Sequence, residues 1–158
     1  MKPTNQLVSP MLTDFYQITM SYAYWKAGVH EEEAVFDLFF RKNPFRGEFA
    51  IYAGLEEKLR LFENFHFTDE HIAYLKEQMP QCEKGFFDWL KSVDCSRMKI
   101  YAFKEGTISF PREPLMRVQG PIAVAQLLET ATLTLTNYPS LMTTNAAKYR
   151  LAVGFEKG

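Results

Sequence analysis

The run Ala34-Val35-Phe36-Asp37-Leu38-Phe39-Phe40 constrains the fold more than any other stretch of the chain. It is short, β-branched and aromatic, and it leads into the turn-forming residues Asn43-Pro44-Phe45-Arg46-Gly47. Such a segment predicts a buried strand, and a buried strand needs partners and a covering layer. Phe49–Ala53 is a second strand candidate just beyond the turn, and the pair predicts a hairpin.

Strand character returns after Met98. Lys99–Phe103, Thr107–Phe110 and Leu115–Gln119 alternate, separated by turns at Glu105-Gly106 and Pro111-Arg112-Glu113-Pro114. Helical spacing fills most of the remainder. Phe15, Ile18, Thr19, Tyr22 and Trp25 predict a helix across Leu12–Ala27, capped by Thr13 or Asp14 and ended by Gly28. Leu55–Phe65 follows a break at Gly54; Ile72, Leu75 and Met79 follow a cap at Thr68 and stop at Pro80; Phe86, Phe87, Leu90 and Val93 predict another short helix. Pro121 is expected as the first residue of an apolar helix over Ile122–Leu135. A further helix spans about Ser140–Val153, with Pro139 as a kink or junction. The expected class is α+β, with an N-terminal α/β domain at 1–120 and a helical segment beginning at 121 and running to 158. These last helices have little obvious sheet of their own to cover, which hints at truncation.

Composition mainly excludes. The chain has 158 residues, 47% hydrophobic and 23% charged, enough for one domain with a sizeable core. Its 18 basic and 19 acidic residues leave a net charge of −1, so nothing drives non-specific nucleic-acid binding, and no cationic block marks a membrane surface. No apolar window is long enough to span a bilayer. Cys82 and Cys95 lack metal-ligand or redox spacing, and Met1–Gln6 lacks a signal-peptide core, which predicts a reduced cytosolic protein. The 14 Phe and 8 Tyr leave two readings open, an aromatic core or aromatic surface meant for a partner.

Few residues announce chemistry by themselves. No P-loop, dinucleotide fingerprint or zinc signature is present. His30, His66 and His71 sit in turn or helix-start contexts that suit solvated or capping roles. Asp14 and Tyr16 stand at the start of the first helix, where a tyrosine either packs against the sheet or offers its ring to a heteroaromatic ligand. Arg41 and Lys42, at the end of the first predicted strand, suit either a phosphate or a solvated edge. Thr143-Thr144-Asn145 is a polar cluster in an apolar helix, suited to a binding surface or to bonding the preceding turn.

Four segments, in order, resemble nicotinate phosphoribosyltransferases. They are Leu12-Thr13-Asp14-Phe15-Tyr16-Gln17-Ile18-Thr19-Met20 with Tyr24–Gly28; Phe36–Phe45 with Ala53-Gly54-Leu55-Glu56; Glu105-Gly106-Thr107 with Pro114-Leu115 and Val118–Pro121; and Gln126–Thr130 with Asn137-Tyr138, Ser140-Leu141 and Thr144–Ala147. The resemblance implies the N-terminal α/β region of a type II phosphoribosyltransferase, leading into a truncated irregular α/β barrel. It implies coupling of nicotinate to 5-phosphoribosyl 1-pyrophosphate, assisted by ATP hydrolysis and Mg²⁺, in a homodimer that makes nicotinate mononucleotide for NAD synthesis. Matched residue by residue, Tyr16 corresponds to a tyrosine that stacks on the nicotinate ring, in related enzymes across the dimer interface. Asp14, two residues earlier, is a candidate for positioning the helix or binding substrate nearby, Arg41 is a phosphate-binding candidate, and Asn145 belongs to a family motif without an assigned contact.

None of the three histidines matches the context of the histidine that the family phosphorylates. The resemblance places that histidine beyond residue 158, together with the carboxylate-binding arginine and the acidic groups near Mg²⁺. The chain alone is therefore expected to be an inactive fragment. The alternative is a short non-catalytic product that dimerises with, or regulates, longer subunits.

Overall fold

The structure, a computed structural model, describes residues 1–154 apart from the side chain of Phe45. Residues 155–158, the end of the second predicted segment, lie outside the described residues. In chain order the elements are α1 (Phe15–Lys26), β1 (Glu33–Leu38), a 3₁₀ turn (Pro44–Arg46), β2 (Ala50–Ile51), α2 (Leu55–Glu63), α3 (Asp69–Gln78), α4 (Lys84–Ser92), β3 (Lys99–Ala102), β4 (Ile108–Ser109), β5 (Met116–Pro121), α5 (Ile122–Leu127) and α6 (Glu129–Val153). This is the mixed helix-and-sheet class expected.

The main sheet has the order β1-β5-β3, antiparallel throughout, and β2 pairs separately with β4. The predicted hairpin between the first two strands therefore does not form. Phe36, Val118 and Ile100 stand in register on one face, and Asp37, Arg117 and Tyr101 on the other. The first face joins the core; the second is exposed and carries a bidentate pair from Arg117 to Asp37 at 2.8 and 3.0 Å. Alternation of this kind turns one side of each strand to water. The core is aromatic: Phe62, Phe65, Phe67, Phe86 and Phe87 are buried with Ile18, Leu75 and Leu128. Other rings, including Phe15, Tyr16, Tyr101, Tyr138 and Tyr149, remain exposed, so both readings of the aromatic content hold in part.

The helices after β5 differ from expectation in their junctions. Pro121 is the residue before α5, which is already complete at Leu127 and packs on α1, β1 and β5. α6 then runs unbroken through Pro139. A proline at 139 cannot donate to the Leu135 carbonyl one turn back. That carbonyl faces Gly54, where a Cβ would lie 1.8 Å from the Leu135 oxygen and 3.2 Å from Pro139 Cγ. Gly54 has φ +91°, so both its conformation and its surroundings require glycine.

One face of α6 is a hydroxyl ladder. Thr132, Thr136 and Thr144 donate to the carbonyls of Leu128, Thr132 and Ser140 at 2.6, 2.8 and 2.6 Å. Thr144 Oγ1 also accepts from the Ile51 amide at 2.9 Å, and Ser140 Oγ from the Ala53 amide at 3.1 Å. The Ile51 amide of β2 and the Ala53 amide just beyond it are thus satisfied by helix side chains.

Candidate functional site

The start of α1 is locked to the α5–α6 junction. Asp14 occupies the position before the first helical residue in extended conformation, as expected. Its amide donates to Gln17 Oε1 at 3.1 Å, and its carboxylate accepts from the Thr130 hydroxyl at 2.9 Å. Gln17 is fully buried and donates to the Gln126 carbonyl at 2.9 Å and to Glu129 Oε2 at 3.4 Å. Gln126 Nε2 donates to the same Glu129 oxygen at 2.6 Å. These bonds hold the backbone on both sides of Tyr16.

Tyr16 itself is 45% exposed. Its phenol is pushed up to about 12 by desolvation, by a hydrogen bond to Glu129 and by the charges of Glu129 and Asp14. The ring is therefore neutral at physiological pH and open to solvent over much of its surface. Met20, one turn on, is also exposed. The arrangement answers the question left by the sequence: Tyr16 is not packed away at a helix–sheet junction.

Glu129 also lines a cleft of about 640 Å³ between the end of β1 and the α5–α6 junction. Arg41, Lys42, Thr132 and Asn137 line it too. Arg41 was expected at the end of a strand, but β1 stops at Leu38 and Arg41 lies in the following bend, exposed. The Leu38 and Phe40 carbonyls accept from the Leu115 and Arg112 amides, both at 2.8 Å, which carries the chain off the sheet and turns Arg41 toward solvent. A neighbouring cavity of about 240 Å³ shares Phe40 and Lys42 and is floored by Thr136, Ser140 and Thr144.

The structure thus sets Asp14 and Tyr16 against the α5–α6 junction, where Glu129 lines the cleft containing Arg41. Asn145 is not part of this group. It is half-buried on α6, lines neither cavity, and follows Thr144, whose hydroxyl is committed to β2. Gln17, Gln126 and Glu129 were missed by sequence reasoning. The signal available was Gln126 and Glu129, polar at i, i+3 within an otherwise apolar helix.

The histidines take structural places. The Thr68 amide donates to His71 Nδ1 and the His71 amide to Thr68 Oγ1, each at 3.2 Å, a reciprocal cap. His30 packs edge-on against Trp89. A second missed group is Lys58, fully buried, which donates to the Tyr52 hydroxyl at 3.0 Å and to Thr136 Oγ1. Among the described residues no group of three or more His, Cys, Asp or Glu side chains is placed to hold a metal ion. No helix of the described residues is long and apolar enough to cross a membrane.

Comparison with known proteins locates this arrangement. Residues 11–137 match the profile of the nicotinate phosphoribosyltransferase (NAPRTase) N-terminal domain. The chain is 54% identical over 155 residues to nicotinate phosphoribosyltransferase 1 of Arabidopsis thaliana, covering 98% of this chain and 28% of that protein. It is 54% identical over 156 residues to the nicotinate phosphoribosyltransferase of Dictyostelium discoideum, covering 99% of this chain and 26% of that one. The crystal structure of human nicotinic acid phosphoribosyltransferase superposes with a TM-score of 0.86 at 44% identity, over 92% of this chain and 29% of the human one. The chain spans little more than a quarter of the length of these relatives. With the match running from before α1 into α6, the chain belongs to the nicotinate phosphoribosyltransferase family and carries its N-terminal domain.

Proposed function

We propose that this domain serves the condensation of nicotinate with 5-phosphoribosyl 1-pyrophosphate, giving nicotinate mononucleotide and pyrophosphate, with ATP hydrolysed to ADP and phosphate. In the bond changes the nicotinate ring nitrogen bonds to the ribose carbon that carries pyrophosphate, and the carbon–oxygen electron pair leaves with pyrophosphate. The observation that carries the reading is Tyr16: a half-exposed, neutral ring near Glu129, which lines the cleft that holds Arg41. A flat pyridine gains about 0.5–1.5 kcal/mol on such a face beyond area burial. Asp14 ties the start of α1 to α6 through Thr130, and Arg41 contributes charge toward a phosphate. Asn145, away from the cleft, is assigned no more than a place in the surrounding surface. The reading includes a homodimer in which Tyr16 faces its partner's substrate, in the cytosol, where Cys82 and Cys95 stay as free thiols.

Within the chain the cleft offers Arg41 and Lys42 on an open bend. Two such cations fall short of the preorganised clamp that a leaving pyrophosphate needs. Nicotinate mononucleotide formation should therefore be absent for the chain alone. It should be present for a chimera in which this chain replaces the matching segment of the Arabidopsis relative. A chimera that folds, dimerises and makes no product would sink the proposal.

A further inference from the structure

Helix α1 meets α5 and the start of α6 along a polar seam. Asp14, Gln17 and Ser21 fall at helical intervals on one face, and each bonds across to those helices. The Asp14 carboxylate accepts from Thr130 at 2.9 Å. Gln17 Nε2 donates to the Gln126 carbonyl at 2.9 Å and to Glu129 Oε2 at 3.4 Å, and the Ser21 hydroxyl donates to the Ala123 carbonyl at 3.4 Å. Gln17, at the centre, is fully buried and uses both ends of its amide. Its oxygen accepts from the Asp14 amide at 3.1 Å and from the Thr13 hydroxyl, closing the turn that begins α1. Its nitrogen meets a carbonyl in the last turn of α5, where helix geometry leaves carbonyls without amides of their own. Tyr16 and Met20 lie on the exposed side of the same helix.

We propose that Gln17 is the positioning residue that sets the register of α1 against the α5–α6 junction, and with it the point on the backbone from which Tyr16 is presented; this rests on the reading of Tyr16 as the nicotinate-stacking residue. Apolar contacts are non-directional and tolerate small slides and rolls of a helix. Buried hydrogen bonds are satisfied in one register, and leaving it strands polar groups without partners. A slip of one residue moves a helix by about 1.5 Å and turns it by about 100°. Such a slip would unpair the Gln17 nitrogen and the Asp14 carboxylate together, and would carry the Tyr16 backbone with it. Only a side chain that both accepts and donates can close the first turn of α1 and hold the end of α5 at once, which is what an amide does. Gln17 acts through the backbone and does not touch the substrate.

The test uses the chimera described above, with the KM for each substrate and the melting temperature as readouts. Gln17→Met keeps the buried volume and removes both ends of the amide. It should raise the nicotinate KM about 3-fold and leave the KM for 5-phosphoribosyl 1-pyrophosphate unchanged, since a displaced ring keeps part of its contact. Ile18→Val removes a buried methyl from the same helix. It should lower the melting temperature with the nicotinate KM unchanged, which separates positioning from general loss of stability. Tyr16→Ala should raise the nicotinate KM about 10-fold, and adding Gln17→Met to it should raise it no further, because Gln17 acts through Tyr16. Where Gln17→Met does not fold, Thr130→Val carries the test: it removes the outer tie of the same seam and should raise the nicotinate KM about 2-fold. An unchanged nicotinate KM in Gln17→Met, or in Thr130→Val standing in for it, beside a raised one in Tyr16→Ala would overturn the positioning role and leave the stacking reading intact. So would an equal rise in Ile18→Val, or a further rise in the double variant. An unchanged KM in Tyr16→Ala would overturn the stacking reading itself, and the positioning role with it.

Discussion

Two side chains show how burial decides what a titratable residue does here. Lys58 is fully enclosed, with hydroxyl partners in Tyr52 and Thr136, and burial lowers it to about 7, with the charge of Glu105 opposing. Tyr52 is itself pushed up to about 12 by burial first, so it does not titrate in the same range. Between about 7 and the ordinary lysine value the folded chain binds fewer protons than the unfolded chain, and stability must rise with pH across that window. Thermal melts from pH 7 to 9 should show this rise in the parent and a flatter dependence in Lys58→Met; parallel curves would contradict the assignment. His71 has the same sign in a lower range. Burial lowers it, the acceptor role of Nδ1 toward the Thr68 amide requires the neutral ring, and stability is lost as pH falls below the ordinary histidine value. His71→Gln keeps the cap and should remove that loss, worth about 1 kcal/mol as for other caps. Amide exchange in α3 between pH 7 and 5 measures it, and an undiminished loss in the variant would place the titrating group elsewhere. His71 was legible as a cap because Thr68 stands three residues before it. Lys58 was not, because a lysine in an amphipathic helix gives no local sign of facing inward.

At the scale of elements, most strands and helices were legible from spacing and from Gly and Pro, but their partners were not. The turn at Asn43–Gly47 suggested a local hairpin, whereas β1 pairs with β5, a register marked by Asp37 and Arg117 across 80 residues. Nothing local specifies such a pairing; it follows from which faces need cover. The junction expected at Pro139 does not form, because α6 continues through it. The proline was legible, but the glycine that closes over the freed Leu135 carbonyl lies on another element. Gly54→Ala therefore combines a left-handed backbone with a clash against main chain and should cost about 3 kcal/mol or more. Denaturant melts measure this, and a loss below about 1 kcal/mol would mean that α6 slides away from Gly54 with little resistance. The site divides in the same way: Tyr16 and Asp14 were legible because they sit on one short segment, whereas Glu129 became visible only once α1 was placed beside α6.

As a whole molecule the domain covers one face of its sheet and leaves much of α6 open. Tyr138, Met142, Tyr149 and Val153 are all exposed and fall along one helical stripe. An apolar stripe of this kind predicts concentration-dependent self-association of the isolated chain, seen by light scattering and reduced by Met142→Glu with Tyr149→Glu. A monodisperse monomer at every concentration would contradict it. The family places the same domain within proteins more than three times as long, and the central claim is that its contribution to them is the ring of Tyr16. The most direct measurement is the nicotinate KM of the Tyr16→Ala chimera beside its KM for 5-phosphoribosyl 1-pyrophosphate. A rise of about 10-fold for nicotinate, with the second KM unchanged, is the result predicted from a lost aromatic stack. Equal values for parent and variant, or a rise confined to the phosphoribosyl donor, would contradict it.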